Sequence, residues 1–168
     1  MMYKYLLYFL IFSFLGWCTE VVFQLFKTKK FINRGLAHGP VCPIYGLGIS
    51  LCAALLSSVK SFLLLVVFSM AIATVTELAV GYFTDKILGM RLWDYSFERG
   101  NISGYICPRF SLVWGVVCAT VIKLLPFLDG LISLFDGAFL KAVSYLLLIF
   151  VIVDLKTAIK NSTAHNNV

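Results

Sequence analysis

The sequence predicts an all-α integral membrane protein, a single transmembrane domain of about five helices over residues 1–168. Three observations carry this. The chain is 61% hydrophobic and only 13% charged, whereas a soluble domain is nearer half apolar and a quarter charged. Mean hydropathy is +0.94. The apolar residues also come in runs long enough to cross a bilayer, which takes about 20 residues in a helix.

The spans follow in order. The first covers about Leu6 to Phe26, too long for a cleaved leader and with no small-residue cleavage site behind it. A basic loop, Lys27 to Arg34, comes next. The second span, near Pro43 to Leu56, has an irregular entrance, because Pro40, Pro43, Gly46 and Gly48 crowd into nine residues. Proline removes a backbone donor and glycine loosens a helix, so this stretch reads as either a kinked entrance or a re-entrant segment. The third span covers about Phe62 to Thr84. A long polar segment runs from Asp85 to about Tyr105, and the fourth span from Ile106 to Leu125. Pro126 to Asp136 reads as an interfacial connector. The last span is about Ala138 to Val153.

Five spans put the termini on opposite sides. With the N-terminus outside, ten of the fourteen Lys and Arg residues fall on the cytoplasmic side and four (Lys4, Lys60, Lys123, Lys141) outside. Basic residues are retained in cytoplasmic loops, so the expectation is N-outside, C-inside in a bacterial plasma membrane. The net charge of +6 reflects this topology. It does not indicate nucleic-acid binding, since no basic face is interleaved with aromatics. Of the five cysteines none forms a CxxC pair. Cys42 and Cys107 resemble soft-metal positions in principle, but without Met or His companions they read as small buried hydrophobes. No metal or cofactor is expected.

The chain also matches itself. Thr19-Glu20 and Thr76-Glu77 sit in the last third of spans one and three. Each is followed by a polar loop with an asparagine, Asn33 or Asn101, and then by Gly-x-x-Cys-Pro: Gly39 to Pro43, and Gly104 to Pro108. Two helical hairpins in parallel orientation are expected, over about 6–57 and 62–125, with a final helix at about 138–155. Transporters commonly place their sites at such repeat interfaces.

Glu20 and Glu77 are the candidate functional acids, since an ionisable group inside a span faces a cavity or a partner. Ser13, Gly16, Glu20 and Gln24 share one helix face, as do Ala73, Glu77, Gly81 and Thr84. Each glutamate has a purely structural alternative, a pair with an arginine or a backbone amide. Arg34, Arg91 and Arg109 are the candidate cations, because a guanidinium grips carboxylate or phosphate through a rigid fork. The expectation is that both acids and all three arginines converge on one polar cavity roofed by Trp93, Asp94 and Tyr95. The plainer readings are topology signals for the arginines and interfacial placement for the aromatics.

Taken together, Glu20, Asn33-Arg34-Gly35, Gly39-Pro40-Val-Cys42-Pro43-Ile-Tyr45-Gly46, Glu77, Trp93-Asp94-Tyr95-Ser96, Asn101-Ile-Ser-Gly104 and Trp114-Gly115 closely resemble the CmpB-like family of ABC-transporter type IV membrane permeases. The resemblance implies a permease moving a small solute. It departs at Tyr105, where the family often carries a basic residue, with Arg109 close enough to substitute. The sequence holds no GxxxxGK[ST] loop, so coupling to ATP would require a separate ATPase subunit. The other readings are a membrane-embedded enzyme on a lipid or lipid-linked phosphate, with a glutamate as general base, and a non-catalytic membrane partner. The substrate and any assembly into a homo-oligomer are left open.

Overall fold

The computed structural model describes residues 2–31 and 37–165. Among them the chain forms five helices: α1 (Met2–Thr28), α2 (Pro43–Leu56), α3 (Phe62–Lys86), α4 (Pro108–Ile132) and α5 (Gly137–His165). The chain is an all-α membrane protein. Four of its helices are long and apolar enough to cross a bilayer, and they leave Phe23, Phe68, Leu146 and Phe150 bare on the outside. An aqueous protein would cover so much apolar surface.

Local chemistry sets the helix ends. Pro43 and Pro108 each take the first helical turn, where a missing N–H costs nothing and the fixed φ already suits the helix. The Ser61 hydroxyl accepts from the Leu64 amide to cap α3, and the Asp136 carboxylate accepts from the Phe139 amide at 2.8 Å to start α5. Two boundaries differ from the sequence expectation. The Pro126–Asp136 stretch is no separate interfacial connector, because α4 runs on through Pro126 to Ile132. Here an interior proline deletes one backbone bond without ending the helix. The last helix likewise continues well beyond Val153.

The second crossing is the unusual one. At 14 residues, α2 is about 21 Å long by helical rise, short of the ~30 Å hydrocarbon core. The Cys42 amide donates to the Ser13 carbonyl at 2.9 Å, halfway along α1. The Ser50 hydroxyl donates to the Tyr5 carbonyl near its start. So α2 lies along the first half of α1 only. Close approach makes this possible. A Cβ on Gly46 would sit 2.2 Å from the Phe9 carbonyl oxygen and the same distance from the Ser13 hydroxyl oxygen, and one on Gly16 would collide with the Tyr45 ring. The second hairpin uses the same device: a Cβ on Gly115 would sit 2.8 Å from the Val66 carbonyl oxygen.

A core of Ile49, Cys52, Leu56, Leu65, Cys118, Ala119 and Ile122 joins α2, α3 and α4. Cys52, Cys118 and Ala119 are its small members, of the kind that let helices approach closely within lipid. Helix α5 packs on α1, with Val151 clustering against Leu10, Ala37 and Val41. At the far end of the bundle, Lys4 and Tyr8 both bond the Asp129 carboxylate, at 2.6 and 2.5 Å.

Candidate functional site

Among the described residues neither acid meets an arginine; each meets a tyrosine. Tyr45, on the first turn of α2, donates its phenol to Glu20 Oε1 at 2.7 Å. Tyr95, in the segment between α3 and α4, donates to Glu77 Oε1 at 2.9 Å. Glu20 is half-buried. Glu77 is only 4% exposed, and its Oε2 has no hydrogen-bond partner among the described residues. Beside it is a space of about 10 Å³ bounded by Ile44, Gly48, Ala73, Thr76 and Trp114. That is about the volume one water molecule needs.

Aromatic rings join the two acid–phenol pairs. Tyr45 packs against Trp114 with centroids 4.8 Å apart, and Trp114 borders the space beside Glu77. Tyr95 stacks on Phe110 at 4.7 Å, nearly parallel. Counted from the two Cys-Pro pairs, Phe110 stands where Tyr45 stands. The second hairpin therefore lacks a phenol on its own helix and receives one from the loop.

That loop is built to deliver Tyr95. The Asp94 carboxylate accepts from the Ser96 amide at 2.8 Å and from the Ser96 hydroxyl at 2.5 Å. It also pairs with Arg91 at 3.0 Å. Asn101 accepts from the Gly104 amide and donates to the Glu98 carbonyl. The Tyr95 amide donates to the Gly104 carbonyl, and the Trp93 indole to the Tyr105 carbonyl. Gly104 has φ +72°, and a Cβ there would lie 2.0 Å from the Arg91 guanidinium. Only glycine satisfies both the backbone and the space. Trp93 then packs closely against Gly81 of α3.

The electrostatics follow this geometry. Burial, and next the Glu77 carboxylate, push the Tyr95 phenol above its ordinary value. The Ser96 hydroxyl and amide, with Arg91 behind them, hold Asp94 below its own.

Of the arginines expected to join the two acids, Arg91 and Arg109 are engaged elsewhere. Arg91 pairs with Asp94 and the Ser103 carbonyl, and Arg109 with Glu98 at 3.5 Å. Loop carboxylates close in sequence take these cations before the helix acids can. Asn33, Arg34 and Gly35 lie outside the described residues. Trp93, Asp94 and Asn101 shape the loop above Glu77 without touching the acid. Gly39, Pro40, Cys42 and Pro43 carry the irregular entrance to α2. Cys42 is half-buried and Cys107 buried, both as free thiols.

Sequence reasoning missed Asp154. From α5 it accepts the Gly39 amide at 2.8 Å and pairs with His38 at 3.5 Å, fixing the loop that leads to Cys42. An acid directly after the last apolar run was its signal. Sequence reasoning also treated Tyr45 as a motif residue, although a hydroxyl two positions past a helix-opening proline was a candidate partner for Glu20.

A family model described as "Putative ABC-transporter type IV" matches residues 7–159. Neither a curated protein nor a solved structure matches the chain.

Proposed function

The chain belongs to the ABC-transporter type IV family, and on that premise we propose that it is the membrane-embedded permease part of a transporter for a small solute. One observation carries the reading. Glu77 is a buried acid at membrane depth with one oxygen that no described residue bonds, beside a water-sized space, where an ionisable group marks a pathway or a coupling site. Glu20 and Tyr45 form the second half of the site, linked to it through Trp114.

The mechanism rests on the tyrosines. Each phenol holds one carboxylate oxygen and fixes its direction, leaving the other to a solute group or a proton. Tyr95 reaches Glu77 from a loop and not from a helix, so a movement of that loop uncovers the acid. Part of the contact pattern supports a parallel repeat: Gly46 meets Phe9 and Ser13, and Gly115, one helical turn further from its Cys-Pro pair, meets Val66 and Met70, which correspond to Phe9 and Ser13 when Glu20 is matched to Glu77. An N-terminus outside and a C-terminus inside a bacterial plasma membrane complete the reading, with a separate ATPase subunit as partner if ATP drives transport.

The test is a thermal-shift screen of the detergent-purified chain against defined sugars, amino acids, organic cations and divalent metal ions. Hits then go to uptake in proteoliposomes. A solute whose shift and uptake vanish in a folded Glu77→Gln protein supports the reading. If Glu20→Gln and Glu77→Gln only lower the melting temperature, and no solute gives a glutamate-dependent shift, the site is a structural core and the proposal fails.

A further inference from the structure

A second hollow lies apart from the paired glutamates. It is an open groove of about 590 Å³ between α3 and the loop that follows it. Its lower wall is apolar, made by Val75, Leu78 and Ala79. Its upper rim carries Lys86 and Arg91. Val75 sits inside a helix of membrane-crossing length and Lys86 ends it. A ligand filling the groove must therefore be apolar at one end and polar at the other.

We infer that this groove binds one anionic glycerophospholipid, its phosphate held by Arg91 and Lys86 and an acyl chain laid along Val75, Leu78 and Ala79. The nearby acids are already engaged. Asp85 accepts the Tyr105 phenol at 2.5 Å, and Asp94 is occupied by Ser96 and Arg91. Arg91 uses Nη2 for both of its described bonds, to Asp94 and to the Ser103 carbonyl. Nη1 and Nε remain as donors, and two such donors match two oxygens of a phosphate. Lys86 is held by Asp85 only loosely, at 3.6 Å.

The cation is also prepared in position. The guanidinium lies over the Tyr105 ring at 5.3 Å, and the Tyr105 carbonyl is held by Trp93. A headgroup site fixed beforehand loses less ordering entropy on binding. The volume falls in the range of small-molecule sites, roughly 300–1,000 Å³. That suits a headgroup with the upper part of its chains.

The shared chemistry is a phosphate, which could come from a lipid or from solution. The experiment uses the full-length chain, delipidated in detergent and studied by native mass spectrometry and thermal shift. The probes are phosphatidylglycerol, phosphatidylcholine and inorganic phosphate. Phosphatidylglycerol is expected to bind one per chain and to raise the melting temperature, with the other two weaker. Lys86→Gln and Arg91→Gln should each weaken it roughly fivefold, the scale of one cation near a membrane surface. Arg91 also holds the loop, so Ala79→Trp serves as the second variant: it fills the apolar wall far from any charge and should abolish lipid retention with the fold intact. Equal binding of phosphatidylcholine, equal stabilisation by inorganic phosphate, or unchanged lipid retention in both Ala79→Trp and Lys86→Gln would each overturn the site.

Discussion

Tyr95 reaches Glu77 from eighteen positions further along the chain, and its ring is laid flat on Phe110. The phenol that holds the buried acid is thus aimed by a loop and braced by a helix. Removing its hydroxyl strands the acid. Tyr95→Phe keeps the stack and should destabilise the detergent-solubilised protein by about 1–3 kcal/mol, the cost of an unsatisfied buried polar group. Tyr45→Phe should cost less, because Glu20 is half-buried and water can replace the phenol. Melting temperatures of the two variants compare them directly, and equal losses would contradict this account.

The pH response has a defined sign at two loop residues. The folded Tyr95 pKa is raised above its ordinary 10.0. Its contribution to stability is therefore complete below pH ~10 and is lost only as pH climbs through the higher folded value. A tyrosinate absorbance titration of the wild type minus Tyr95→Phe should show no phenol ionising near its ordinary value. Asp94 has the opposite sign, since its folded pKa lies below the ordinary 3.8. Its contribution is present above that value and disappears as pH falls through the folded one. In Asp94→Asn that acid-side loss should be missing from the stability profile.

Two glycines on α2 should behave oppositely. Gly46→Ala places a methyl 2.2 Å from the Phe9 carbonyl oxygen, whereas a Cβ at Gly48 meets nothing within 4 Å. The first substitution should cost about 1–3 kcal/mol or more through overpacking. The second should be neutral or mildly stabilising, because it removes backbone freedom from the unfolded chain. Thermal unfolding of the pair decides. Equal effects would mean that α1 and α2 are not in backbone contact at Gly46.

Asp154→Ala should loosen the segment before α2. It removes the acceptor of the Gly39 amide and the partner of His38. Maleimide labelling of Cys42 should then speed up, while Cys107, at the corresponding point of the other hairpin, keeps its wild-type rate. Unchanged labelling at Cys42 would show that the segment is held by other contacts.

How legible was all this in the sequence? Hydropathy located every helix, and it placed α2 at Pro43–Leu56 as observed, because apolar runs and helix-opening prolines are local signals. Partner choice was not local. The acids looked destined for arginines, the strongest available attraction. Yet Arg91 finds Asp94 within its own loop, and Arg109, in the first turn of α4, finds Glu98 in the loop just before it, at far smaller chain-entropy cost than reaching a helix across the bundle. The Tyr95 partnership depends on a fold of Gly104, Asn101 and Trp93 that no spacing rule displays. Pro126 misled for a related reason: proline reads as a stop signal in water, but neighbouring helices within a membrane can carry a helix past it.

The hydrogen bond from Gly39 to Asp154 joins points 115 residues apart. A ribosome working from the N-terminus delivers the coil before α2 into the bilayer long before the acid that holds it exists. During that interval the Gly39 amide lacks its final acceptor, a costly condition in lipid. Biogenesis should therefore wait on α5. A nascent chain released before residue 154 should remain with the insertion machinery or be cleared by quality-control proteases.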